Sequence, residues 1–156
     1  MATVEKSIEV DVPVRAAYNQ WTQFEEFPRF MEGVKGVQQL DDKRLYWRAE
    51  IAGQEVEWGA EILEQMVERH ISWRSTTGPK HAGTVTFEPL APNRTRLTLR
   101  MEYEPEGLTQ KLAEWFGALD SRIEGDLRRF KTFIEARGIE TGAWRGEIVG
   151  DEVVKR

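Results

Sequence analysis

Residues 108–137 read LTQKLAEWFGALDSRIEGDLRRFKTFIEAR, and this stretch decides the fold that the rest of the chain must adopt. Its apolar residues recur every three or four positions, the spacing that lines one face of an α-helix. These residues are Leu108, Leu112, Trp115, Phe116, Leu119, Ile123, Leu127, Phe130 and Ile134. Gly138 follows the last of them and predicts the C-terminal end of the helix. Gly117 and Gly125 each weaken a helix by about 1 kcal/mol relative to alanine, so we expect a kink or a restart near residues 117–121.

A helix of this length spans roughly 45 Å, so an extended apolar surface must cover its buried face. The preceding sequence supplies that surface, because it alternates between apolar and polar residues as half-buried strands do. The first such stretch is 4–12. After Pro13, two short segments, 14–22 and 24–31, favour short helices, and six further strands follow between residues 35 and 103.

This order predicts an α+β domain over residues 1–138. A curved, seven-stranded antiparallel sheet wraps around the long C-terminal helix, with two short helices after the first strand. Residues 139–156 are polar and rich in glycine. We expect them to form a tail that contributes nothing to the core.

The composition favours a folded, soluble protein and excludes several functional classes. The net charge is −5 and the chain has no long basic run, which disfavours binding to nucleic acid or to an anionic membrane surface. The absence of cysteine excludes disulfides and thiolate metal sites. The N-terminus lacks the apolar core of a signal peptide, and no apolar run approaches the roughly 20 residues of a membrane span. We therefore expect a cytoplasmic protein without integral membrane association; the sequence assigns no oligomeric state.

A sheet curved around one helix leaves a gap near the short helices, and a gap lined by apolar groups is a ligand pocket. The predicted lining consists of inward-facing residues of the strands and helices. These are Phe27, Phe30, Trp47, Val56, Trp58, Ile62, Trp73, Phe87, Leu99, Met101, Leu119, Ile123 and Leu127. Tryptophans on an apolar face are more often plain core residues, but three on adjacent strands also suit a planar, mostly apolar ligand that carries a carbonyl group. The candidate polar groups at the pocket are Ser75, His81 and Tyr103.

Catalytic and metal-binding patterns are scarce. His70 and His81 are the only histidines and lack the spacing of a zinc site, so we predict no metal. His81 follows a loop, and we interpret it as a solvent-facing turn residue, with a proton donor at the pocket mouth as the alternative. The glutamates between residues 55 and 64 fall mostly on the outer face of their strand and indicate a solvated surface. Neither a phosphate-binding loop nor a nucleophile elbow is present, so we predict no catalytic residue and no cofactor.

The order of elements resembles that of the START-like helix-grip superfamily, also called SRPBCC. Residues 18–31, YNQWTQFEEFPRFM, are similar to its bacterial polyketide cyclase/dehydrase and coenzyme-Q-binding branch, in which a helix ending in Trp precedes an aromatic-Pro-x-Phe turn. The resemblance extends over residues 3–137. It implies a helix-grip fold and a hydrophobic ligand, since this superfamily includes lipid carriers, quinone binders and cyclases. Aromatase/cyclase members place an inward arginine where Ile62 stands here, which favours a more apolar cavity.

From these observations we predict that the protein binds a hydrophobic small molecule between the sheet and the C-terminal helix. A quinone, an acyl or lipid chain, or a polyketide-like molecule fits this description. Two alternatives remain open. One is an aromatase/cyclase/dehydrase-type enzyme that acts on a polyketide-like substrate, with Tyr103, Ser75 or His81 transferring protons. The other is an interaction module whose cavity is filled by its own side chains.

Overall fold

The computed structural model describes residues 2–51, 53–150 and 152–154. Its elements, in chain order, are β1 (Ala2–Val10), α1 (Val14–Trp21), a 3-10 helix (Phe24–Arg29), β2 (Val34–Gln39), β3 (Arg44–Ile51), β4 (Gln54–Met66), β5 (His70–Ser75), β6 (His81–Ala91), β7 (Arg94–Tyr103), α2 (Gln110–Gly117), α3 (Leu119–Arg137), β8 (Glu147–Val149) and β9 (Glu152–Val154). Residues 1 and 52 of the predicted domain and residues 151, 155 and 156 of the predicted tail lie outside the described residues.

The main sheet has the strand order β1-β7-β6-β5-β4-β3-β2, and its pairs are antiparallel. The predicted seven-stranded sheet beside the C-terminal helix is therefore confirmed. The predicted strand faces are confirmed as well: Trp58 and Ile62 of β4 are buried, whereas Glu55 and Glu57 are exposed. A register shift between Ile62 and Glu64 marks a bulge in β4, and bulges of this kind bend a strand and add curvature to its sheet.

The predicted C-terminal helix is divided into two helices, which confirms the predicted restart near residues 117–121. The helices α2 and α3 meet at Ala118, which has φ −94° and ψ 8°. Gly117 immediately precedes this break, in agreement with the low helix propensity of glycine. At the other end, Gly138 adopts φ +71° and its N–H donates to the carbonyl of Ile134 at 3.0 Å, which closes α3 as predicted.

The buried face of α3 lies at the centre of the core, where it meets the aromatic side chains of the N-terminal helices. Leu119, Ile123, Leu127, Phe130 and Ile134 form this face. The Trp21 ring of α1 packs edge-on against Phe130, with ring centroids 5.0 Å apart, and lies 5.4 Å from the ring of Phe27. These contacts fix α1 and the 3-10 helix at one end of the space between the sheet and α3.

The expectation that residues 139–156 contribute nothing to the core is wrong. Ile148 is fully buried, and β8 pairs with the end of β4 in the register Gln65↔Ile148, so the described sheet has nine strands. The buried Gln20 side chain of α1 donates to Thr141 Oγ1 at 2.9 Å and accepts the Thr141 N–H at 2.8 Å. Arg145 donates to Asn19 Oδ1 at 2.8 Å. The segment packs on the domain because it supplies hydrogen-bond partners for polar side chains that α1 buries.

Within the described ranges, no helix is both long enough and apolar enough to cross a membrane.

Candidate functional site

A cavity of about 100 Å³ lies between the sheet, the N-terminal helices and helices α2 and α3. Most of its lining is apolar. The apolar lining residues are Trp21, Phe24, Phe27, Met31, Val34, Leu45, Trp47, Trp58, Ile62, Trp73, Leu99, Met101, Trp115, Phe116, Leu119 and Ile123. An apolar cavity of about 150 Å³ takes one benzene molecule, so this space suits a group close to the size of a single ring. Its presence argues against a core filled entirely by its own side chains.

Ten of the predicted site residues lie on this cavity. They are Phe27, Trp47, Trp58, Ile62, Trp73, His81, Leu99, Met101, Leu119 and Ile123. Six others do not line it: Phe30, Val56, Phe87, Leu127, Ser75 and Tyr103. Of these, Phe30, Phe87 and Leu127 are buried core residues. Strand alternation identifies the inward face of the sheet but not the position along each strand that borders a gap, which is why the predicted set includes residues away from the cavity. The contact of any of these residues with a ligand remains a prediction.

Two tryptophans form a stacked pair in the wall of the cavity. Trp47 of β3 and Trp58 of β4 are direct cross-strand partners, and their rings lie 5.9 Å apart with planes within 9° of parallel. Trp73 of β5 faces Gly83 across the sheet, and a Cβ at Gly83 would lie 2.5 Å from Trp73 Cζ2. A side chain larger than hydrogen at position 83 would therefore displace the Trp73 ring from its place in the cavity wall.

The Trp47 indole carries an unused hydrogen-bond donor. Its Nε1 atom is buried, and no acceptor lies within hydrogen-bond distance among the described residues. Buried polar groups in folded proteins nearly always have partners, and an unsatisfied one costs about 1–3 kcal/mol. Trp47 also lines the cavity, so the unused donor belongs to a residue of the cavity wall.

His81 lines the cavity, so its interpretation as a solvent-facing turn residue is wrong. Its ring is partly buried against Trp58 and Phe116, with centroid distances of 5.5 and 5.9 Å. Nδ1 lies 2.8 Å from the Pro79 carbonyl oxygen and must donate to it, which leaves Nε2 as an acceptor in the neutral ring. Burial lowers the pKa of His81, and the bond to Pro79 opposes this shift only in part. The neutral imidazole therefore adds one hydrogen-bond acceptor to the cavity wall.

Ser75 and Tyr103 support the cavity wall from behind. The Ser75 hydroxyl accepts the backbone N–H of His81 at 3.1 Å, at the point where β6 begins. Tyr103 stacks on Phe116, with ring centroids 4.8 Å apart. Both residues position a side chain that faces the cavity.

A charged edge of the cavity was not anticipated from the sequence. Glu32, Arg122 and Asp126 complete the lining, and the Glu32 side chain is 75% exposed, so the cavity reaches solvent here. Asp126 accepts the Glu32 N–H at 3.2 Å and forms an ion pair with Arg129. Burial raises the pKa of Asp126, and the bond from Arg129 is the main opposing influence. Charged residues on an α-helix ordinarily indicate a solvated face, so the sequence carries no signal that these border a cavity.

The other titratable groups singled out in the sequence lie away from the cavity. His70 pairs with Glu64, whereas Glu61 forms ion pairs with Lys43 at 3.3 Å and with Arg74 at 3.6 Å. In the part of the chain that the structure describes, no three histidine or carboxylate side chains cluster closely enough to hold a metal ion.

The chain is 45% identical over 150 residues to an uncharacterized 17.2 kDa protein encoded in the melC2-rnhH intergenic region of Streptomyces lincolnensis, covering 96% of this chain and 100% of that one. The structure of DR_A0006 from Deinococcus radiodurans is similar with a TM-score of 0.69 and 26% identity, covering 88% and 100% of the two chains. The Zhui aromatase/cyclase from Streptomyces sp. R1128 has the same fold, with a TM-score of 0.75 and 18% identity over 91% and 98% of the chains.

These likenesses confirm the predicted START-like helix-grip fold, which a START superfamily protein from Mycobacterium smegmatis also shares with a TM-score of 0.71. The family model described as polyketide cyclase / dehydrase and lipid transport matches residues 10–132, which include β2 to β7 and most of α3. The chain therefore belongs to the polyketide cyclase/dehydrase and lipid transport family.

Proposed function

We propose that this protein binds a small, mostly apolar molecule bearing a hydrogen-bond acceptor in the cavity between the sheet and α3. The observation that carries the proposal is the buried, unpartnered Nε1–H of Trp47, a residue that lines this largely apolar cavity. A hydrocarbon would fill the space and leave this donor unsatisfied. A ketone, quinone or ester oxygen would fill it and accept the hydrogen bond.

The size and shape of the cavity narrow the ligand further. A volume of about 100 Å³ is close to the size of one ring or of a short hydrocarbon segment, and the flat faces of Trp47, Trp58 and Trp73 favour a planar group. A quinone, acyl or polyketide-like molecule would place one such portion inside. The remainder of a longer molecule would extend past the charged edge at Glu32.

Acetophenone and ethylbenzene provide a test, because the two have similar shapes and only the first carries a carbonyl oxygen. We expect acetophenone to bind more tightly in isothermal titration calorimetry. We also expect it to raise the melting temperature, since a ligand at a hundredfold excess over its Kd stabilises the folded state by about 2.7 kcal/mol. Trp47→Phe keeps an aromatic ring but removes the N–H, so this variant should bind both molecules equally.

Trp144→Phe is the matched control, because Trp144 lies in the C-terminal segment away from the cavity lining. It should retain the preference for acetophenone. The proposal fails if neither molecule binds the wild-type protein, or if Trp47→Phe retains the full preference for the ketone.

A second candidate is an enzyme of the aromatase/cyclase type, and the geometry of His81 favours it. The Pro79 carbonyl holds Nδ1–H, so the free Nε2 of a neutral ring can accept a proton from a molecule in the cavity. The two functions can be separated by extracting the bound molecule before and after incubation of the complex and identifying it by mass spectrometry. A ligand recovered unchanged supports binding alone. A product formed by the wild type but not by His81→Asn supports the enzyme.

A further inference from the structure

We propose that Arg122 forms an anion-binding subsite at the open edge of the cavity, so that the natural ligand is an amphipathic carboxylate with an apolar portion of about one ring. This inference deepens the binding function proposed above and rests on it. The apolar lining does not determine which chemical group the ligand carries at the open edge of the cavity.

Arg122 is held at the edge by its neighbours. It lies in the first turn of α3 and lines the cavity. Its guanidinium carbon lies 5.4 Å from the centre of the Trp115 ring, a cation–π distance. Its Nη1 also approaches Gly33, where an added Cβ would lie 3.4 Å away. The guanidinium thus lies beside an aromatic ring and close to Gly33, at the edge where the cavity reaches solvent.

The other charged side chains at this edge form ion pairs with one another. Arg129 forms ion pairs with Asp126 and, at 3.6 Å, with Glu32, and its Nε donates to the Phe30 carbonyl at 2.9 Å. Asp126 also accepts the Glu32 N–H. The positive charge of Arg122 lowers the pKa of Asp126, so the two groups are close, yet no ion pair joins Arg122 to any carboxylate among the described residues. Among the described residues, Arg122 is therefore the charged side chain of the cavity edge that makes no direct ion pair.

A carboxylate matches this arginine better than a phosphate does. The planar guanidinium binds the two oxygens of a carboxylate side by side. A phosphate group would bring about two negative charges next to Asp126 and Glu32, and a single arginine would face them. The Trp115 ring and the apolar lining behind it favour a hydrocarbon or aromatic body attached to the carboxylate.

Phenylacetate and phenylacetamide test the proposal, because they differ in charge but hardly in shape. We expect the wild-type protein to bind phenylacetate about tenfold more tightly than phenylacetamide, the effect of one partly exposed charge-assisted interaction. Rising salt should weaken binding of phenylacetate and leave that of phenylacetamide unchanged. Arg122→Gln should lose the preference and bind the amide as the wild type does, which also shows that its cavity is intact.

Arg128→Gln is the control, since Arg128 lies on the same helix, pairs with Glu124 and does not line the cavity. It should keep the tenfold preference. If the wild type binds the amide as tightly as the acid, or if Arg122→Gln keeps the preference, the anion subsite is wrong while the binding function stands. If acetophenone, phenylacetate and phenylacetamide all fail to bind, both proposals fall.

Discussion

Replacing Ile123 with tryptophan tests whether the space between the sheet and α3 is empty in solution. Ile123 is 3% exposed and lines the cavity, whereas Ile134 lies about three turns further along α3, is fully buried and does not line it. The same substitution at the two positions adds the same atoms to one helix. Only the surroundings differ.

The expected magnitudes follow from packing. Tryptophan has six more non-hydrogen side-chain atoms than isoleucine, the number in a benzene ring, and a cavity of about 150 Å³ takes one benzene molecule. At position 123 most of this added volume enters the existing cavity of about 100 Å³, so we expect the free energy of unfolding to stay within about 1 kcal/mol of wild type. At position 134 no space is available, and overpacking should cost about 1–3 kcal/mol or more.

Urea denaturation of the three proteins measures these differences, and calorimetry with acetophenone measures the site. We expect Ile123→Trp to abolish binding and Ile134→Trp to retain it at temperatures where that variant is folded. Equal destabilisation by both substitutions would show that the cavity is closed in solution. Retained binding in a stable Ile123→Trp variant would place the ligand elsewhere on the molecule.

Three further predictions concern stability and protonation. Ile148→Ala should lower the free energy of unfolding in urea by about 2–5 kcal/mol because Ile148 is fully buried. Val149→Ala is the control at the neighbouring, 54% exposed position and should change stability by less than about 0.5 kcal/mol. Equal effects of the two substitutions would contradict the packing of β8. Trp58→Ala should cost about 3–5 kcal/mol, and a variant that unfolds like wild type would reverse the assigned face of β4. In an NMR titration, His81 should protonate below its ordinary pKa of 6.5, since burial disfavours the charged ring. Because the pKa of His81 is lower in the folded state than in the unfolded state, protonation of the unfolded chain lowers the free energy of unfolding as the pH falls from 6.5 to the folded-state pKa. His81→Asn should remove this loss of stability. A measured pKa near 6.5 would show that the cavity edge at His81 is open to solvent.

The architecture was predictable because two periodicities dominate the sequence. The three-to-four spacing of Leu119, Ile123 and Leu127 and the alternation through Trp58 and Ile62 each define one buried face. Joining the two faces requires a sheet around a helix. Local chemistry also located the helix ends, since Gly138 closes α3 and Gly117 precedes the break before it.

The C-terminal segment could not be predicted in the same way, because three-residue strands are too short to show a period. Ile148 is one buried apolar residue in a polar stretch. A signal did exist in α1, where Asn19 and Gln20 occupy positions that the helix buries. Buried amides require partners, and the segment after α3 supplies them through Thr141 and Arg145.

Within the site, the sequence predicted the aromatic wall but not the polar groups that distinguish one ligand from another. The alternation of apolar and polar residues along β3 placed Trp47 on the inner face of the sheet. It did not show that Nε1 would lack an acceptor, which depends on how the Trp47 and Trp58 rings stack. Likewise, Arg122 has the sequence context of a solvated helix residue. Only the packing of Trp115 and Gly33 around it shows that it borders the cavity.

The unfilled cavity sets the affinity to expect from a ring-sized ligand. At about 24 cal/mol per Å³, leaving about 100 Å³ empty costs the fold about 2 kcal/mol, and the unsatisfied Trp47 N–H adds about 1–3 kcal/mol. A bound ring relieves both and gains from leaving water, but association itself costs at least about 4 kcal/mol in lost freedom. We therefore expect dissociation constants in the micromolar to millimolar range for neutral one-ring molecules, since about 4 kcal/mol corresponds to 1 mM and about 8 kcal/mol to 1 µM. Tighter binding requires an interaction beyond the apolar wall, and among the described residues at the cavity edge Arg122 has a charge available to provide it.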